Sequence, residues 1–183
     1  MTTATAELTG EYTIDTAHSR VGFVARHAMV TKVRGAFDEW QGTAHIDGEN
    51  PDKSWARVTI QAKSIDTRNS QRDEHLRSND FLAMDDHPEI TFYSLSVEVT
   101  GDSTYRMTGN LTIGAVTKAI AVDFTYTGTA VDPFGNRRVG LEGTAVINRR
   151  DFGITWNAVL EGGGLLVSEK IALEIEVSAI KNA

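Results

Sequence analysis

Apolar and polar side chains alternate with period two along most of the chain, as expected of strands with one buried and one solvated face. In the C-terminal run, Ile171, Leu173, Ile175, Val177 and Ala179 share one face, while Lys170, Glu174, Glu176 and Ser178 share the other. The same alternation sets Val21, Phe23 and Ala25 against Arg20 and Arg26. It sets Val58, Ile60 and Ala62 against Arg57, Gln61 and Lys63, and Ile120, Val122, Phe124 and Tyr126 against Asp123, Thr125 and Thr127. Further strands are expected over 31–38, 40–46, 89–100, 104–113 and 139–148, with Gly, Asp, Asn or Pro between most of them. Within 89–100 the apolar set changes parity, from Ile90 and Phe92 to Leu95, Val97 and Val99, which predicts a bulge near Tyr93–Ser94.

One helix is expected, from about Ser70 to Ser78, opened by Asn69 or Ser70 as N-cap and carrying an Asp73/Arg77 pair at i,i+4. Leu76 is its only large apolar residue, so it reads as a lid whose Leu76, with Phe81, Leu82 and Met84, docks on the end of a sheet. Pro51, Pro88 and Pro133 all fall between strands, and Gly162–Gly164 read as a turn. Eight or nine antiparallel strands must stack as two sheets or close on themselves, since open edges invite aggregation. Alternation does not choose between these. About eight strands closed into a barrel leave room for packed side chains or one small ligand.

The chain has 183 residues, 40% of them hydrophobic and 23% charged, which describes one folded domain with a core of its own. Residues 1–11 read as a flexible tail and 12–183 as the domain. A net charge of -7 with no basic cluster disfavours nucleic acid as a partner. The absence of Cys removes disulfides, thiolate metal sites and thiol nucleophiles. Residues 1–11 lack the basic start and apolar core of a secretory signal, and no apolar run approaches the roughly 20 residues of a membrane span. A cytoplasmic protein without a membrane span is expected.

His18, His27, His45, His75 and His87 show neither the i,i+2 strand spacing nor the i,i+4 helical spacing of a local ligand pair, so no metal is expected. Neither is a cofactor, because no P-loop or dinucleotide fingerprint is present. The densest polar cluster, Arg72-Asp73-Glu74-His75, reads first as capping and ion pairing. A catalytic alternative would use His75 and Asp73, or His18, as acid–base groups on a lipid-like substrate. A third alternative is a fully packed barrel serving as a protein-binding module. The aromatics Phe23, Phe37, Phe92, Phe124, Phe152 and Trp156 could line a cavity or fill a core.

Several short motifs in order resemble the YceI-like family of lipocalin-like proteins. These are Asp15-Thr16-Ala17-His18-Ser19 followed by Val21, Phe23 and His27; Gly35 and Phe37; and Arg72-Asp73, His75-Leu76, Ser78 and Asp80-Phe81. They continue with Pro88 and Ile90-Thr91-Phe92; Gly109 and Leu111-Thr112-Ile113 leading to Val116-Thr117-Lys118; and Ile147-Asn148-Arg149 with Phe152-Gly153-Ile154. The similarity runs from about Tyr12 to Lys181. It implies an all-β fold, an extended eight-stranded antiparallel barrel with a short helix near one end. It also implies non-enzymatic binding, transport or sequestration of a polyisoprenoid, isoprenoid quinone or other long-chain amphiphile in an apolar tunnel. Homodimers occur in the family, so one is possible here. Gly114-Ala115 departs from the basic residue and Gly that relatives commonly carry there.

On that reading the tunnel wall is expected from Phe23, Ala25, Val33, Phe37, Leu76, Phe81, Phe92, Leu111, Ile113, Phe152, Ile154 and Trp156. The head group is expected to meet Arg72, Asp73, His75 and Lys118 at the mouth.

Overall fold

A computed structural model describes residues 6–161 and 166–183. Its strands are β1 (Gly10–Ile14), β2 (Arg20–His27), β3 (Thr31–Phe37), β4 (Trp40–Ile46), β5 (Trp55–Gln61), β6 (Ile65–Asp66), β7 (Glu89–Val99), β8 (Thr104–Ile113), β9 (Val116–Val131), β10 (Arg137–Asn148) and β11 (Lys170–Lys181), with one helix, α1 (Ser70–Arg77). Eight strands close an antiparallel barrel in the order β1, β4, β5, β7, β8, β9, β10, β11 and back to β1. The stretch Gly162–Gly164, read as a turn, lies outside the described residues.

Closure depends on β11, whose edge is shared by two partners. Its last residues, Ala179 to Lys181, pair with β1, whereas Ala172 to Glu176 pair with β2. The chain permits this because only the short turn Thr16–His18, capped by the Asp15 carboxylate accepting from Ala17 N, separates β1 from β2. From β2 the sheet continues through β3 to β6, where it ends. On that side the wall is completed by α1 and the segment after it, whose Leu76, Phe81, Leu82 and Met84 pack on the core, the docking that the helix's single large apolar residue predicts.

The expected elements are found with small shifts. The parity change in β7 is absorbed at Leu95, which falls between the pairs Ser94↔Gly109 and Ser96↔Thr108 and stands exposed. A second irregularity, which alternation gives no sign of, lies in the β9–β10 pairing next to Gly140 and Leu141. The segment expected as a tail up to residue 11 needs correction, because β1 begins at Gly10. Leu8 packs beside Tyr12, whose hydroxyl donates to the Leu8 carbonyl at 2.7 Å, and the Lys181 ammonium donates to the Glu7 carbonyl at 2.8 Å.

The apolar core divides between the two ends. Tyr12, Val139 and Ala179, together with Ala44, Ile46, Tyr126, Leu141 and Val177, plug the end where the chain begins and finishes. Ile60, Ala62, Ile65, Leu82, Ile90, Leu111, Ile147 and Phe152 form the larger cluster towards α1. Each fully buried Val, Leu, Ile or Phe side chain is worth about 1.5–3 kcal/mol, so the two clusters brace the barrel towards both ends.

Candidate ligand lumen and its mouth

Strand register decides which side chains face inward. β10 and β11 pair Val139 with Ala179, Gly143 with Ile175, Ala145 with Leu173 and Ile147 with Ile171, and the burial of Val139, Ala145, Ile147 and Ala179 marks this as the inner face. Carried round the barrel, the same parity turns Phe23, Phe92, Ile120, Phe124, Leu173 and Ile175 inward. All six are nevertheless only partly buried. A close-packed interior would leave such residues almost no accessible surface.

Three inward glycines leave room for aromatic rings against the wall. A Cβ at Gly35 would lie 2.4 Å from the Phe23 ring, one at Gly109 2.4 Å from the Phe92 ring, and one at Gly143 2.6 Å from the Phe124 ring. Each ring therefore lies over a bare stretch of neighbouring strand. It covers the wall there with apolar surface. Phe37 extends this lining beside Phe23, with ring centroids 5.8 Å apart.

The residues expected to form the wall fall into two sets. By register Phe23, Ala25, Val33, Phe37, Phe92, Leu111 and Ile113 lie on the inner face of their strands. Leu76, Phe81, Phe152 and Ile154 belong to the apolar cluster at the α1 end. Leu111 and Phe152 are packed to 7% and 5% exposure, so they brace the wall and have little surface left for a guest. Trp156 closes an aromatic group there, 4.6 Å from the His75 ring and 5.4 Å from the Phe81 ring between centroids.

The four expected head-group residues do not share one set of partners. Arg72 donates to both the hydroxyl and the carbonyl oxygen of Thr67, at 2.7 Å each, and the buried Asp73 carboxylate accepts from Thr67 N and its hydroxyl. Both therefore fasten α1 to the segment before it. The expected Asp73/Arg77 pair is absent, because Arg77 donates instead to the carbonyls of Lys63 and Ile65. His75 pairs with Asp80 at 2.9 Å rather than with Asp73. Lys118 differs from all three. It pairs with the inward Leu111, which puts it on the lumen side of β9, yet it is exposed.

Arg149, part of a motif in the family resemblance but given no role there, is a structural residue of the mouth. It is 5% exposed, and its guanidinium donates to the carbonyls of Ile154, Trp156, Val167 and Ser168 at 2.9–3.3 Å. Burial pushes its pKa below the usual arginine value. One side chain thus holds together the segment that follows β10. The signal was available in the sequence, since the alternation of β10 carried one step past Ile147 places position 149 on the inner side. A concavity of about 750 Å³ lies elsewhere, on the outer face, where Val24, Val146 and Ala172 form part of its floor.

Comparison with known proteins agrees with this architecture. The family model for the YceI-like domain matches residues 12–179. A UPF0312 protein of Pectobacterium atrosepticum is 38% identical over 157 residues, covering 85% of this chain and 81% of that protein. Among solved structures, BcnA of Burkholderia cenocepacia superposes with a TM-score of 0.78 at 20% identity, over 90% of this chain and 98% of that one. A polyisoprenoid binding domain from Saccharophagus degradans superposes with a TM-score of 0.70 at 15% identity, over 93% and 98%. At these identities the two structures establish the shared fold alone.

Proposed function

The chain belongs to the YceI-like family, and from that premise we propose that it binds a polyisoprenoid, an isoprenoid quinone or another long-chain amphiphile inside the barrel, without catalysing a reaction on it. The observation that carries the reading is the set of inward, apolar, incompletely buried side chains in a closed barrel, with the rings of Phe23, Phe92 and Phe124 folded against glycines. The polyisoprenoid-binding structural neighbour supports the same ligand class. Among the described residues no helix is long and apolar enough to cross a membrane.

Each methylene moved from water into such a lumen is worth roughly 0.8 kcal/mol, so affinity grows with chain length and needs no specific contact. Selectivity then rests on polar groups near the wall. Lys118 is the best placed of these, as a cation on the inner face opposite Leu111. Trp156, Phe81 and His75 give the mouth an aromatic edge with one hydrogen-bonding ring. Arg72 and Asp73 act through the position of α1. The binding serves transport or sequestration, and its proposed place is the cytoplasm, which fractionation of native cells checks.

Native mass spectrometry of protein from its host, followed by titration of delipidated protein with prenylquinones of increasing length, tests the reading. Saturable one-to-one uptake that tightens with each added isoprene unit is expected. Delipidated protein that takes up no long-chain amphiphile would overturn it.

A further inference from the structure

The mouth carries an exposed apolar tip. Met29, Val30 and Val159 are 60%, 77% and 79% exposed, and the backbone brings them to one place. Ala28 N donates to the Leu166 carbonyl at 2.7 Å, and Leu166 N donates to the Ala158 carbonyl at 2.9 Å, so the β2–β3 turn and the segment ahead of Val159 adjoin through Leu166. Ala28 and Met29 both adopt left-handed backbone, at φ 52° and 60°. That conformation is unfavourable for residues with a Cβ and is usually given to Gly or Asn. Here it presents a Met and a Val to the outside.

Beside the tip, charge gathers against the character of the whole chain. Arg26 and Lys32 are direct cross-strand partners on the outer face of β2 and β3, a like-charge juxtaposition that destabilises a sheet. Lys170 joins them around the outer concavity, whose floor includes Val24, Val146 and Ala172. The two carboxylates there are already engaged, Glu169 with Arg150 at 3.1 Å and Glu174 with Arg20 at 3.8 Å. Among the described residues, Arg26, Lys32 and Lys170 have no ion-pair partner. In a protein of net charge -7 this is a local cationic face next to exposed apolar side chains.

We propose that this rim docks on an anionic lipid bilayer, with Met29, Val30 and Val159 entering the interfacial layer and Arg26, Lys32 and Lys170 meeting lipid phosphates. The proposal deepens the lumen reading and rests on it in one respect, that docking sets the α1 end of the barrel against the source of its guest. A two-fold contact with a second copy would set these cations against themselves, whereas an anionic bilayer meets them with opposite charge, so the bilayer is the favoured occupant. Screening confines the effect to the patch, because charges beyond about 10 Å contribute little at roughly 0.1 M salt.

Flotation of the full chain with vesicles tests it, using phosphatidylcholine alone and phosphatidylcholine mixed with phosphatidylglycerol, at low and high salt. Binding to the mixed vesicles only, weakened by salt, is expected. Each cation near an anionic surface is worth roughly fivefold in partition, so Arg26→Gln/Lys32→Gln should weaken it about 25-fold. Met29→Asp/Val30→Asp should abolish flotation, and Asp tolerates the left-handed backbone at position 29. Wild-type protein that ignores anionic vesicles, binds both compositions equally, or is unaffected by either double variant would overturn the proposal. Self-association in sedimentation that the tip variant removes, without vesicle binding, would assign the patch to a second copy and overturn it too. Prenylquinone uptake from a vesicle-free dispersion separates this from the lumen reading. Uptake retained by both variants alongside lost flotation supports docking, whereas wild-type protein that floats but takes up no quinone supports docking and refutes the lumen.

Discussion

A residue in this barrel is defined by its side of the wall, and glycine by what lies over it. Gly143 faces inward opposite Phe124, and an added Cβ would lie 2.6 Å from one ring atom and 2.9 Å from another. Gly143→Ala should push the ring off the wall and cost about 1–3 kcal/mol of stability. For a chain of this size that lowers the melting temperature by roughly 2–4 °C per kcal/mol, and calorimetry showing no change would mean the glycine does not hold the ring in place. Arg149→Met keeps most of the side-chain bulk but removes the guanidinium's bonds to the carbonyls of Ile154, Trp156, Val167 and Ser168, of which Val167 alone keeps a side-chain donor, Asn157 Nδ2 at 2.8 Å. A loss of at least about 3 kcal/mol is expected, since unpaired buried acceptors cost about 1–3 kcal/mol each. Amide hydrogen exchange should accelerate over 153–161 and 166–168 and stay unchanged in β4 and β5.

At the scale of elements, short-range chemistry in the sequence was a good guide to α1. Asn69 caps it by accepting from Arg72 N at 2.9 Å, and Asn69→Ala should cost about 1 kcal/mol, read from the denaturant midpoint. The Asp73/Arg77 pair that the i,i+4 spacing predicts does not form, because both side chains find backbone partners outside the helix, and only the fold brings those within reach. A comparable tertiary clasp joins the turn after β9 to the end of β1. Arg138 donates to Asp132 at 2.8 Å and to Asp15 at 2.7 Å. Desolvation acts to raise the Asp132 pKa, but hydrogen bonds from Asn136, Arg138 and Phe134 outweigh it and hold the group at about 2. Arg138, and then His18, likewise lower that of Asp15. Both carboxylates have folded values below their unfolded ones near 3.9. Their stabilisation is therefore complete above about pH 4 and is lost as pH falls towards 2. Unfolding titrations should show stability falling across that window, and Asp132→Asn should flatten the fall while lowering stability at neutral pH.

For the whole molecule, a guest that fills the lumen and binds only the folded barrel must stabilise it. At a free concentration 100 times Kd the gain is about 2.7 kcal/mol, or roughly 5–10 °C in melting temperature. A prenylquinone that saturates binding but leaves the melting temperature unmoved would place its site on a surface the unfolded chain also offers. Nine of the eleven strands, the face each of them presents, the shift of parity in β7 and the helical lid were written in local patterns, whereas β1 and the two-residue β6 were not. The resemblance of ordered motifs carried the barrel and pointed to the ligand class proposed for it. Alternation reports only the direction of a side chain relative to its own strand, so residue order alone decided these features without reference to any neighbour. Tertiary structure alone decided the rest: that β11 divides its edge between β1 and β2, that Arg72 and Asp73 spend their charge on Thr67, that Lys118 stands opposite the inward Leu111, and that Arg26 and Lys32 meet across a hairpin. Hydrogen bonding and charge pairing depend on distances between segments far apart in the chain, and no periodicity in a single segment encodes them.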